Sequence, residues 1–169
     1  HRPAVFVFNH QSKADVIIVA RLLRRDIAGV GKQEIKKETP ILGKVLELGG
    51  VVFIDRADGK SAIKAMTPLI DAMRKEGKSV VLAPEGTRKY TEFWRAGFYW
   101  IAHRADVPIA VAYLNYKTRT MGFCGLVKTS GDIHADMPIF AALYEQYGLG
   151  RNPERFGPVR VRTTERKPE

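Results

Sequence analysis

One cysteine, Cys124, is all the chain contains, so no internal disulfide can form, and no set of Cys and His has the spacing of a zinc site. That usage suits a reducing cytoplasm. No apolar run approaches the roughly 18 residues of a membrane-spanning helix; Val16–Ala20 and Val107–Leu114 are typical of what is there. The expectation is a chain that does not itself cross a bilayer. No charged n-region or apolar h-region precedes the first apolar run, Ala4–Phe8, so any leader or anchor would lie outside this sequence. Acids are scarce beside bases: 18 Asp and Glu face 28 Lys and Arg, a net charge of +10. With a pI near 9.9, an anionic partner is favoured. Nucleic acid is not expected, because the cations are dispersed among apolar segments and no recognition signature accompanies them. Anionic lipid or a phosphorylated small molecule remains.

With 169 residues and 45% hydrophobic content, the chain can bury one core. Short apolar runs alternate with helical periodicity. Val5–Phe8, Ile27–Val30, Val51–Ile54, Val80–Ala83 and Pro108–Leu114 read as strands. Helices are expected from Ser12 to Arg25, over Ile41–Leu48 before Gly49-Gly50, over Lys60–Glu76 before Gly77, and over Ala96–Ala105. The alternation predicts an α/β fold, a single domain with a largely parallel central sheet flanked by helices. Residues 1–147 are expected to form it. Residues 148–169, with three glycines and three prolines, read as an edge strand or a mobile tail.

Three polar clusters follow strand-like runs directly, where open α/β sheets gather ligands. In Asn9-His10-Gln11-Ser12-Lys13-Ala14-Asp15, a histidine at a strand end and an aspartate in the next helical turn can pair as a general base. Ser12 to Asp15 also fits a capping box, which would leave the carboxylate a purely structural task. After the second run come Asp55 and Arg56, the latter with a forked donor set for phosphate or for a surface ion pair. Pro84-Glu85-Gly86-Thr87-Arg88 reads as an anion-binding turn, or as a tight turn with an exposed salt bridge. His103 and His134 stand apart from other ligand types and read as structural or surface residues, with no metal site expected.

Taken in order, these blocks resemble the glycerolipid acyltransferase family, which includes the 1-acylglycerol-3-phosphate acyltransferases. The carrying residues are the NHxSxxD-type motif Asn9–Asp15, Lys32 with the FIDR ending at Arg56, the PEGTR block Pro84–Arg88, and Val107-Pro108-Ile109. Further along, Gly97–Ala102, Tyr116-Lys117 and Thr129–Asp132 look like a small bacterial branch. Where many members carry FKKG, this chain has Trp94-Arg95-Ala96-Gly97, with one cation fewer.

The resemblance implies acyl transfer from acyl-CoA or acyl carrier protein to a lyso-lipid hydroxyl, foremost 1-acylglycerol-3-phosphate, giving phosphatidate. His10 would take the hydroxyl proton while Asp15 orients it. Lys32, Arg56, Glu85, Gly86, Thr87 and Arg88 would hold the substrates. Oxyanion donors are expected among backbone N–H groups near Gly86 or in the turn after His10. Ile41, Leu42, Val45, Leu46 and Leu48 would line an acyl groove or simply pack on the sheet. No cofactor or metal is implied, and the site of action would be the cytoplasmic face of a membrane with anionic lipid. A different acceptor, such as an amino-acid lyso-lipid, and a non-catalytic lipid-binding module are the alternatives.

Overall fold

The computed structural model describes residues 3–12, 14–15, 18–19, 27–32, 44, 52–54, 59–147 and 153–163, with backbone alone for 27–28, 30–32, 52–54 and 59–65. Four apolar residues in succession make β1 (Val5–Phe8) an interior strand, since a parallel strand covered on both faces has no polar side to show. It lies between β4 (Ser79–Leu82) and β5 (Ile109–Asn115), both parallel to it. Beyond β4 comes β2 (Ile27–Lys32), then β3 (Val52–Ile54) at one edge. The other edge is β6 (Thr120–Val127), antiparallel to β5. The sheet order is therefore β3-β2-β4-β1-β5-β6. The expected α/β class holds, with one antiparallel edge added.

Three helices cover one face: α1 (Gly59–Glu76), α2 (Gly97–Ala105) and α3 (Ile133–Tyr147). Val5, Val7, Val80, Ile109 and Val111 point into this core, where Phe98 meets Trp94, Tyr99 and Phe140 edge-on at 5.7, 6.4 and 5.5 Å. A buried polar knot joins α2 to the start of α3. The Asp136 carboxylate accepts the Tyr99 hydroxyl at 2.6 Å and the Ser130 N–H at 2.7 Å. Burial and the neighbouring Asp136 push the Tyr99 hydroxyl up to about 12. On the opposite face, helical backbone at Ala14, Asp15, Ile18 and Val19 brings Val19 against Phe8, Ala112 and Leu114.

β6 and α3 carry no clear sequence signal. Gly122 and Gly125 interrupt the strand, and Pro138 sits inside the helix. Both elements exist because β5 and the core offer partners: Gly125 faces Leu143, and Tyr144 donates to the Ala112 carbonyl at 2.8 Å. The stretch 153–163 runs as a 3-10 turn, Pro153–Arg155, and then irregular chain against residues 91–94. The Trp94 N–H donates to the Arg160 carbonyl at 2.8 Å, and Arg160 and Arg162 stack over Phe93. A Cβ on Gly157 would lie 1.9 Å from the Thr91 carbonyl oxygen, so only glycine permits that approach. The helix expected over Ile41–Leu48 lies outside the described residues apart from Lys44, which is helical. Among the described residues, no helix is long and apolar enough to cross a membrane.

Candidate active site

Parallel strands share a carboxyl end, and there the first and third polar clusters meet, through the His10 N–H and Glu85. Asn9, the first residue beyond β1, extends the ladder with its side chain: its amide N–H donates to the Leu114 carbonyl at 2.9 Å, and its oxygen accepts the Leu114 N–H at 2.8 Å. This clamp, buried at 1% exposure, fixes the next residue, His10. The His10 ring packs edge-on against Phe8 at 5.8 Å, and its Nδ1 lies 3.1 Å from Asp15 Oδ2.

Asp15 is 1% exposed and fully engaged. Oδ2 also accepts the N–H groups of Gln11 and Ser12, each at 2.7 Å, and Oδ1 accepts the Tyr116 hydroxyl. Half of the capping box is present, the Ser12 N–H on Asp15 Oδ2; Ser12 Oγ takes the Ala14 N–H at 3.2 Å, and the Asp15 N–H goes to the Ser12 carbonyl at 3.3 Å. One carboxylate thus contacts both the imidazole and the N–H groups at the start of the helical turn. Burial works against its charge, but the hydrogen bonds from His10, Tyr116, Ser12 and Gln11 win, and its pKa falls below the usual 3.8. An ionised Asp15 only accepts, so Nδ1 carries the imidazole proton and Nε2 presents a lone pair. Among the described residues Nε2 has no partner, and the side chain is 18% exposed.

Glu85, expected among the acceptor-binding residues, is 7% exposed and accepts the His10 N–H at 2.7 Å. It braces the turn that carries His10. Burial pushes its pKa up to about 8, partly countered by the His10 N–H and aided by the charge on Asp15. Gly86 has φ of 66°, a conformation that favours glycine, and its N–H closes onto the Ala83 carbonyl at 3.1 Å. Thr87 is half-buried, accepting the Lys89 N–H at 3.2 Å, while Arg88 is exposed. The Pro84 carbonyl takes the Arg95 N–H at 2.8 Å, which ties Trp94–Gly97 to this turn. Trp94 itself is a core residue at 2% exposure; Arg95 is exposed.

Four backbone N–H groups of these turns are bonded within the chain: His10 to Glu85, Gln11 and Ser12 to Asp15, and Gly86 to Ala83. Lys32 ends β2 beside Ile54, the last residue of β3, at the same carboxyl edge. Asp55, Arg56, Ile41, Leu42, Val45, Leu46 and Leu48 lie outside the described residues. His103 pairs with Thr129 Oγ1 at 3.0 Å and stacks on Tyr99, a structural role. No group of metal-binding side chains occurs among the described residues.

The sequence model of the acyltransferase family matches residues 1–114. The chain belongs to the glycerolipid acyltransferase family. The chain is 31% identical over 154 residues to the human 1-acyl-sn-glycerol-3-phosphate acyltransferase beta, a match covering 81% of this chain and 55% of the relative. It is 35% identical over 114 residues to an uncharacterized acyltransferase of Schizosaccharomyces pombe, covering 64% and 40%. Against the 1-acyl-sn-glycerol-3-phosphate acyltransferase of Saccharomyces cerevisiae, identity is 27% over 113 residues, covering 64% and 37%. The chain thus spans about half or less of these relatives' lengths. No solved structure matches it.

Tyr116 is the site residue that spacing in the sequence did not mark. It lies 101 positions from Asp15 and just past the matched segment. Only the β1–β5 pairing, Phe8 beside Ala112, brings it there.

Proposed function

We propose that this acyltransferase moves a fatty acyl group from a thioester, acyl-CoA or acyl carrier protein, to a lyso-lipid hydroxyl, with 1-acylglycerol-3-phosphate as the foremost acceptor. The observation that carries the reading is His10, held through Nδ1 by a buried Asp15 with Nε2 unpartnered among the described residues, at the carboxyl end of a parallel sheet. Nε2 accepts the acceptor's hydroxyl proton as its oxygen attacks the thioester carbonyl. The imidazolium then returns that proton to the departing thiolate as the C–S bond breaks, leaving a new ester and a free thiol. No side chain is acylated, and no cofactor or metal takes part.

Asp15 stabilises the transient imidazolium and keeps the ring in the right tautomer. Arg88, exposed beside Thr87, meets the acceptor's phosphate, and Lys32 and Arg56 are the further cations assigned to the substrates. The relatives named as 1-acyl-sn-glycerol-3-phosphate acyltransferases favour that acceptor. The single cation of Trp94-Arg95-Ala96-Gly97 favours a second reading, an acceptor whose head carries less phosphate, such as an amino-acid lyso-lipid. Because the acceptor is a bilayer lipid, the enzyme works at the cytoplasmic face of a membrane.

Palmitoyl-CoA offered with a panel of lyso-lipids, lysophosphatidic acid included, separates these outcomes by thiol release and product mass. Phosphatidate formation that disappears in His10→Ala supports the foremost acceptor. His10-dependent product from another lyso-lipid alone moves the assignment to the second reading. Lipid binding retained by both proteins without turnover on any pair, acyl carrier protein donors included, would leave a lipid-binding module.

A further inference from the structure

Met121, Phe123 and Leu126 stand 38%, 50% and 71% exposed on β6, three large apolar side chains in a strand of eight residues. They share one face. Their β5 partners are Leu114, Ala112 and Ala110, while Cys124 and Gly125 turn to the helical core. The row is continuous with the active site. Phe123 contacts the Phe6 ring at 5.8 Å, Phe8 follows on the same face of β1, and Phe8 contacts His10. Met121, paired with Leu114, stands next to the backbone that clamps Asn9.

Along the hairpin the charge has one sign. From Asn115 to Lys128 the chain carries Lys117, Arg119 and Lys128 and no acid, and all three cations are exposed. None forms an ion pair with a described residue. The turn bearing two of them is braced, with the Lys117 and Thr118 N–H groups both on Asn115 Oδ1 at 3.1 Å. Exposed apolar side chains flanked by unpaired cations match a lipid surface with anionic headgroups.

We propose that the β5–β6 hairpin docks this protein on an anionic bilayer. Met121, Phe123 and Leu126 enter the boundary between headgroups and acyl chains, while Lys117, Arg119 and Lys128 meet the headgroups. The surface rests on the lyso-lipid reading only in its purpose, since it would hold His10 beside a bilayer-resident substrate.

The test is co-sedimentation with vesicles of phosphatidylcholine alone and of phosphatidylcholine mixed with phosphatidylglycerol. Wild type should prefer the anionic vesicles. The pair Phe123→Ser and Leu126→Ser should weaken binding by about tenfold, and Lys117→Ser with Arg119→Ser should remove the anionic preference. The circular dichroism spectrum and the rate on a short-chain, water-soluble acceptor should be unchanged, while the rate on vesicle-borne acceptor falls in step with binding. Wild-type binding by the serine variants, or equal binding to both vesicles, overturns the proposal. So does a concentration-dependent dimer that these serines abolish, which would make the row a contact between copies. Hairpin-dependent binding without any turnover would sustain the surface and count against the enzymatic reading alone.

Discussion

At His10, the consequence of the geometry is a division of labour between two nitrogens: Nδ1 is spent on Asp15, and only Nε2 is left for chemistry. Removing the ring in His10→Ala should lower kcat by about 10³-fold, with the circular dichroism spectrum unchanged. Tyr116→Phe tests the arrangement behind it. The phenol holds Asp15 Oδ1 while Oδ2 serves His10, Gln11 and Ser12, so losing the hydroxyl lets the carboxylate rotate. We expect a fall in kcat of roughly tenfold at unchanged KM, beside a stability loss of about 1 kcal/mol. A stability loss with kcat intact would reduce Tyr116 to a packing residue. Arg88→Ala should act the other way, raising the acceptor KM by about tenfold with little change in kcat, because an exposed guanidinium helps ground state and transition state alike. The His10–Asp15 pair was legible in the sequence because both residues lie within one turn. Tyr116 and the bracing role of Glu85 were not, since each depends on a strand neighbour that only the folded sheet supplies.

Elements differ in the same way. β1 announces itself because an interior parallel strand must be apolar throughout, and α1 because Leu69, Ile70 and Met73 return at helical spacing to one buried face. β6 and α3 are written in their partners: the strand is paired along its length to β5, and the helix packs on both strands. The aromatic cluster at α2 holds these pieces together. Phe98 is fully buried, with Trp94 and Phe140 edge-on against it, so Phe98→Ala leaves a cavity where α2, α3 and the sheet meet. Urea unfolding should show a loss of about 3–5 kcal/mol. Turnover per folded molecule should hold, because the site stands at the carboxyl edge of the sheet and is built on its own clamp, Asn9 to Leu114.

For the molecule as a whole, two buried carboxylates pull its stability in opposite directions along the pH axis. Glu85 is raised from an ordinary 4.5 to about 8, so between those values the folded chain keeps a proton that the unfolded chain releases. Its contribution is complete below about 4.5 and is lost as pH rises toward 8. Asp15 is lowered below 3.8, so its contribution is present above that value and is lost as pH falls through the native pKa. Acid adds a second cost: a chain already at +10 gains further positive charge as its other carboxylates protonate, and self-repulsion grows. The stability maximum is therefore expected on the acid side of neutrality. Glu85→Gln removes only the alkaline arm, since the amide oxygen still accepts the His10 N–H without titrating. Scanning calorimetry at pH 5.5 and pH 8 should find wild type less stable at the higher value and the glutamine variant nearly level between the two. If both proteins decline alike, Glu85 is ionised in the native state well below 8, and a cation near the PEGTR turn must be holding its charge.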